Sequence, residues 1–379
     1  MVSRVLLTEK AFAETIAECG GRVFRVGGCV RDQFMGAIPK DIDFCIVGMV
    51  KKNFKMLFPT AKEHGKSFPV FNLEIDGVKC ELAFARTEKK ISSGYKGFRI
   101  SAKPKITIEE DLYRRDTTIN SMAMDCLTGE IIDPFKGIED IEKKILRATS
   151  EHFPDDPMRA LRLAGHAARF AFAIHPETLI LASTVVDELR DEPAERMLIE
   201  LTKVLEEAQQ PGTFFRVLAE AKLLEVTFRE ISNLSQEDFK ETMDGLDRVA
   251  QISQKPKVRF ATLGVVLDKD ALLKWDDTMK LPGDWLDSAM TVGKFSTLLE
   301  TPTAEKIVEA INTLRRGALS VEEFDLIAQG VGLNVPVLST FKAAITSSQN
   351  GVVPKELKGK EIGEWFKKKH IELIGKLLS

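Results

Sequence analysis

The sequence predicts an α+β fold, with a head built on a mixed sheet followed by an all-helical neck, body and tail. Up to about residue 147, short β-rich runs ending at glycine turns alternate with helical stretches. From Asp155 onward apolar residues recur with helical period, as in Met158, Leu161, Leu163 and Ala164 beside Arg159, Arg162 and Arg169. Short Pro/Gly breaks then punctuate the helices without a long polar linker.

In the head, Val23-Phe24-Arg25-Val26 runs into Gly27-Gly28, and Asp43-Phe44-Cys45-Ile46-Val47 runs into Gly48. Phe68 to Ile75 and Lys79 to Phe84 read as a hairpin turning at Asp76-Gly77, because both turn positions must accept positive φ. In the helical part, Gln210-Pro211-Gly212, Lys255-Pro256-Lys257 and Leu281-Pro282-Gly283 mark turns between helices. The expected division is a head over 1–147, a neck over 148–208, and a body and tail over 209–379.

The chain has 379 residues, enough for roughly two or three domains. Its 54 basic and 57 acidic side chains leave a net charge of −3, which excludes a globally basic nucleic-acid coat but allows a local basic groove. The 5 cysteines, Cys19, Cys29, Cys45, Cys80 and Cys126, form no C-x-x-C pair and read as reduced, buried thiols. Charged residues interrupt the N-terminal segment, and no apolar run reaches the ~18 residues that span a bilayer, so a soluble cytoplasmic protein is expected. The oligomeric state is not encoded in any pattern visible here.

Two constellations carry chemistry. In the first, Gly27 and Gly28 let backbone amides approach a phosphate with no Cβ in the way, and Arg31 follows one turn into the next helix. Asp41 and Asp43 then stand at i and i+2 at the mouth of an apolar strand, on one face. Singly, a Gly-Gly pair also suits a plain turn and an Asp-x-Asp pair a solvated strand edge. Two acids held together repel unless a cation lies between them, which makes Asp41 and Asp43 a natural Mg²⁺ site. In this order and spacing, the glycine turn, the Arg31-Asp32 pair and the Asp-x-Asp strand resemble the nucleotidyltransferase superfamily of polymerase β-like enzymes. The resemblance implies two metals, one activating an attacking hydroxyl and one holding a triphosphate. Glu81, on a later strand, is a third acidic candidate.

In the second constellation, Arg114-Arg115-Asp116-Thr117-Thr118-Ile119-Asn120 precedes Asp133-Pro134-Phe135-Lys136-Gly137-Ile138-Glu139-Asp140-Ile141. Asp155-Asp156-Pro157-Met158-Arg159 and Glu195-Arg196-Met197-Leu198-Ile199-Glu200-Leu201 follow. These resemble the R-R-D-x-x-x-N-A, D-P-x-x-G-x-x-D-I, E-D-x-x-R and E-R-x-x-x-E-L motifs of class II tRNA nucleotidyltransferases, and the likeness covers residues 22 to 203. The stretch Arg86 to Phe98 looks most like the loop of the proteobacterial CCA-adding type.

The resemblance implies template-independent addition of CCA to the tRNA 3′ end from CTP and ATP, with release of pyrophosphate. It assigns Arg115 to the triphosphate, Asp116 with Asn120 to the ribose, and Asp156 and Arg159, with Arg162 nearby, to the base edge, on one helical face. Addition of A alone or of CC alone, poly(A) synthesis, and a non-catalytic tRNA-binding relative are the other readings. The family usually carries a third arginine where this chain has Gly165, which leaves His166 or Arg169 to compensate.

Lys257 to Lys269 is similar to an HD phosphohydrolase segment, but Val265 and Val266 replace its His and Asp. Beyond residue 175 the only histidine is His370, so no phosphatase or phosphodiesterase activity is expected. The lysine-rich segment from Lys355 to His370 is a candidate tRNA-backbone contact or simply a solvated face.

Overall fold

The computed structural model describes residues 6–65, 68–92, 97–348, 353–354 and 356–378. Residues 93–96 of the expected loop and Lys355 lie outside these. The chain packs as two units. One holds Met1–Ala167 and Ala171–Glu192, the other Ala168–Phe170 and Pro193–Ser379.

The first unit is organised by a seven-stranded mixed sheet. Its strands are β1 (Arg22–Val26), β2 (Asp43–Val47), β3 (Lys62–His64), β4 (Val70–Ile75), β5 (Val78–Phe84), and two further strands, Ala123–Asp125 and Ile131–Ile132. β1 runs antiparallel to β2 and to Ala123–Asp125, while β2 and β5 are parallel. The β4–β5 hairpin turns where expected, with Asp76 at φ 51° and Gly77 at φ 76°, the left-handed pair that a two-residue turn requires.

Strand alternation sorts the side chains between the two faces of the sheet. Phe44 and Ile46 join an aromatic cluster with Phe12, Phe54, Phe58, Phe71 and Phe84. That cluster is covered by α1 (Glu9–Glu18) and contains Phe54 of α3 (Lys51–Leu57); α2 (Gly28–Phe34) follows β1. Cys45 packs on the opposite face with Phe24, Val26 and Leu112 of α4 (Ile108–Tyr113). Asp43 shares that second face, two residues before Cys45. α4 starts at a capping box between Thr107 and Glu110, and Glu109, Glu110 and Asp111 in its first turn suit the positive end of the helix. The unit continues through α5 (Gly137–Glu142), α6 (Met158–Phe170), α7 (Pro176–Ser183) and α8 (Val186–Arg190).

Two expectations need correction. The strand begins at Asp43, so Asp41 lies in the bend after Pro39 and not on the strand itself. Cys19 is exposed just past the end of α1, whereas Cys29, Cys45 and Cys80 are buried and Cys126 is half-buried.

The second unit is helical, and its prolines do what the sequence anticipates: Pro211 and Pro282 cap the helices Gly212–Glu220 and Gly283–Leu298, and Pro256 opens Pro256–Ala261. Val258, Phe295, Ile307, Ile311, Phe324 and Ile327 form one apolar core in it, with Val265 packed against it. The valine at the HD histidine position thus belongs to packing. Among the described residues no helix is long and apolar enough to cross a membrane.

Arg259, only 3% exposed, ties three helices together. Its guanidinium donates to the carbonyls of Leu205 and Ala208 at 2.9 Å, Ala250 at 3.0 Å and Ser253 at 2.7 Å. Arg259→Met keeps the stem and leaves four acceptors without this donor. The expected cost is about 3 kcal/mol of stability, read from urea unfolding of the purified chain; an unchanged midpoint would contradict it.

Candidate active site

The site lies on the face of the sheet that carries Cys45, at the start of β2. Strand β1 stops at Val26 because Gly27 turns the chain with φ 73° and ψ −130°, a conformation closed to residues with a Cβ. A Cβ there would lie 2.8 Å from Nη1 of Arg115, so glycine is required twice, for the turn and for the arginine beside it.

Asp43 heads β2, and the parallel register sets Glu81 of β5 next to it. Asp43 is accessible to solvent. Burial raises its carboxyl above the ordinary carboxylate value; Arg115 opposes the shift, while the charges of Glu81 and Asp41 add to it. The charges of Asp41 and Glu81 are thus felt at Asp43, and hard oxygen donors of this kind suit a divalent cation. Glu81 itself is well exposed, and its carboxylate lies 3.6 Å from His64 Nε2. Among the described residues no three potential ligands form a ready-made metal cage. Asp41 and Asp43 would thus supply part of a coordination shell, completed by water and phosphate oxygens, as Mg²⁺ commonly prefers.

α4 delivers the cations. Asp111, 1% exposed, accepts from Nε and Nη2 of Arg114 at 3.1 and 2.7 Å and from the same atoms of Arg115 at 3.3 and 3.1 Å. Burial pushes the Asp111 carboxyl up, but the two guanidinium groups outweigh it and hold it below its usual value. Arg115 stays firmly charged, since Asp111 and Asp43 overcome the cost of its burial.

A chain of charge-assisted hydrogen bonds crosses the rest of the site. Asp32 accepts from Arg31 at 2.6 Å, Arg31 donates to Oδ1 of Asn120 at 2.7 Å, and Asn120 donates through Nδ2 to Asp116 at 3.1 Å. Asp116 also accepts from the Thr117 amide at 2.7 Å and from Arg162 at 3.3 Å, and Arg162 reaches on to Asp156 at 2.8 Å. Burial alone would raise the Asp116 carboxyl. Arg162 and then His166 lead the opposing contributions that hold it far below the ordinary range. His166, beside Gly165, thus contributes to the charge balance at Asp116, and Arg169 pairs with Glu207 at 2.6 Å.

The structure thus brings Arg31, Asn120, Asp116, Arg162 and Asp156 together. It alters two local details. Asp156 precedes helix α6 instead of lying on it, because Pro157 disfavours helical backbone at the residue before it. Its Oδ1 accepts from the Met158 amide at 3.1 Å, capping the helix. Arg159 is 5% exposed and donates to the carbonyls of His152 and, at 2.6 Å, Arg114. Asp111, Arg114 and Asp32 received no role from the sequence; the i, i+3 and i, i+4 spacing of Asp111 to Arg114 and Arg115 is the signal that would have found the first two.

Residues 23–147 match the family model described as the poly A polymerase head domain, and residues 171–234 match the probable RNA and SrmB binding site of polymerase A. A CCA-adding enzyme of Coxiella burnetii is 34% identical over 371 residues, spanning 94% of this chain and 96% of that protein. The chain belongs to the CCA-adding enzyme family. A CCA-adding enzyme of Pseudomonas putida is 37% identical over 277 residues, 72% of each chain. An apo structure of a CCA-adding enzyme, form II, superposes with a TM-score of 0.72 at 25% identity, covering 98% of this chain and 94% of that one. The Thermotoga maritima CCA-adding enzyme, solved in complex with tRNA(CCA), shares the fold with a TM-score of 0.71 at 24% identity, covering 97% and 94%.

The raised Asp43 carboxyl gives a signed prediction for stability. A folded-state pKa above the unfolded value stabilises the fold while the group is protonated, and that contribution fades as pH rises through the folded pKa. At pH 7, without divalent cations, Asp43→Asn should therefore melt at a higher temperature than the parent. The gain should shrink as pH falls through the folded value and disappear below the ordinary aspartate value of about 3.9, where Asp43 becomes neutral like asparagine. Thermal melts across this range test it, and a lower melting temperature at pH 7 would contradict it.

Proposed function

We propose that this chain completes the 3′ end of tRNA with CCA, taking CTP and ATP and releasing pyrophosphate without a template. The observation that carries this reading is the gathering of Asp41, Asp43, Arg115, Asp116, Arg162 and Asp156 in one unit of a chain that aligns with a CCA-adding enzyme over 94% of its length.

The terminal hydroxyl of the tRNA attacks the α-phosphate of the bound nucleotide, and the bond to pyrophosphate breaks. Asp41 and Asp43 are the catalytic carboxylates and would hold Mg²⁺, with Glu81 an auxiliary acid. Their mutual repulsion is the feature that a cation relieves. Bound there, the metal supplies positive charge for the triphosphate and lowers the pKa of the attacking hydroxyl. Arg115 holds the triphosphate beside the Gly27-Gly28 turn, and Arg31 supports the same end of the site. Asp116, oriented by Asn120 and Arg162, accepts from the ribose hydroxyl. Asp156 and Arg159 read the base edge with Arg162 as the link between them and the ribose site. Arg159 spends donors on two carbonyls and retains further N–H groups for a base.

In this reading 1–147 works as the catalytic head, 148–208 as the base-reading neck, and 209–379 as the body that meets the acceptor end of tRNA. The 5 free cysteines favour a reducing compartment, in line with a cytoplasmic setting.

Purified protein supplied with Mg²⁺ and tRNAs ending before CCA, after one C and after two should add C, C and A in turn, using CTP and then ATP. Extension of the last substrate alone would replace this reading with A addition, and a run of adenosines with poly(A) synthesis. Asp41→Ala should abolish incorporation while tRNA still binds. Arg159→Ala should blur the choice between CTP and ATP, seen as a fall of about tenfold in the ratio of their kcat/KM values. Loss of tRNA binding alone would remove its base-reading role.

A further inference from the structure

The most deeply buried carboxylate near the site belongs to Asp111, and no step above uses it. Its two oxygens divide their partners. Oδ1 accepts from the Arg86 amide at 3.1 Å and from Arg114, while Oδ2 accepts only from Arg115 among the contacts described. Nε and Nη2 of Arg115 both face Oδ2, which draws the guanidinium toward Asp111, and its remaining nitrogen Nη1 lies against Gly27.

The same carboxylate reaches two further parts of the unit through Arg114. Nη1 of Arg114 donates to Glu88 at 3.0 Å, and Glu88 accepts from Arg86 at 2.8 Å, at the base of the hairpin formed by β6 (Thr87–Lys90) and β7 (Phe98–Ser101). The carbonyl of Arg114 accepts from Arg159. One buried acid therefore braces the arm that carries Arg115, the foot of the hairpin, and the anchor of Arg159.

We infer that Asp111 is a positioning residue for nucleotide binding: it holds Arg115 in the orientation that meets the triphosphate and, through Arg114, joins that arm to the hairpin and to Arg159. This rests on the reading above that Arg115 binds the triphosphate. Asp111 touches no substrate. Its effect is to keep a flexible, entropically costly arginine in one rotamer before the nucleotide arrives, so that binding does not have to impose that order. Loss of the charge leaves Arg115 to sample other directions and weakens binding of CTP and ATP alike, since the triphosphate is common to both.

The test is a double-mutant cycle on the full chain, with single-nucleotide addition to tRNA lacking its terminal residues. Asp111→Asn preserves shape and removes the charge. It should raise KM for both nucleotides about tenfold, change kcat less than about threefold, and leave tRNA affinity unaltered. Arg115→Ala should raise KM at least as much, and the double variant should be no worse than Arg115→Ala alone, because Asp111 acts through that arginine.

If Arg115→Ala raises KM and folded Asp111→Asn does not, the positioning role is overturned and the triphosphate assignment stands. If Arg115→Ala leaves KM unchanged, the assignment itself falls and this inference with it. Additive defects would show a separate structural role for Asp111 and overturn the inference as well. Should Asp111→Asn fail to fold, Arg114→Lys keeps the charge but cannot fork between Asp111 and Glu88. It should still raise KM for both nucleotides, and a parental KM in that variant would overturn the proposal.

Discussion

Holding a charged carboxylate inside protein is costly unless enough donors converge on it, and the geometry of this site follows from how Asp116 meets that demand. A backbone amide, an asparagine and an arginine converge on it. Both side-chain donors are themselves fixed by a second partner: Asn120 by Arg31, and Arg162 by Asp156. Removing any link leaves the next group with a buried charge or an unmatched donor, so the helix start at Gly28, the turn at Asn120 and helix α6 are constrained together. Such a network specifies one arrangement more than it adds stability.

The sheet supplies the other half of the geometry. Parallel pairing of β2 with β5 brings Glu81 to Asp43, and antiparallel pairing of β1 with Ala123–Asp125 brings the Gly27 turn to the segment after Asn120, where the Gly27 amide bonds to the Met122 carbonyl at 3.2 Å. Strand alternation sends Phe44 and Ile46 into the aromatic cluster and leaves Asp43 on the face that α4 approaches with Arg115. The apolar side of each strand thus anchors the site while the polar side forms it. Burial first, and then the charges of Glu81 and Asp41, raise the Asp43 carboxyl, while Arg115 opposes them.

Much of this was legible in advance, and for local reasons. Strand β1, strand β2, the Asp76-Gly77 turn and the proline-led helix starts each follow from a preference contained within a few residues. Where local rules competed, the outcome was less visible. Asp156 was expected on a helical face, yet Pro157 keeps it outside, where its carboxylate caps the helix instead. Asp41 was expected on the strand, which starts two residues later. Cys19 had the apolar neighbours of a core residue but falls past the end of α1, on the exposed side.

By itself the sequence determined the kinds of groups present and their order: a glycine turn, paired acids, an Arg-Arg-Asp run and a neck helix with arginines, together with valines where HD ligands would stand. That information is local, because spacing along a helix or strand decides which side chains share a face. Only the tertiary structure decided which charges meet across long separations. Arg31 with Asn120, Arg114 with Glu88, Arg159 with the Arg114 carbonyl and Arg259 with the carbonyls of Leu205 and Ala208 are pairings between segments far apart in the chain. They arise because a donor or acceptor removed from water takes whichever partner the packing brings within reach, and packing is set by the whole fold.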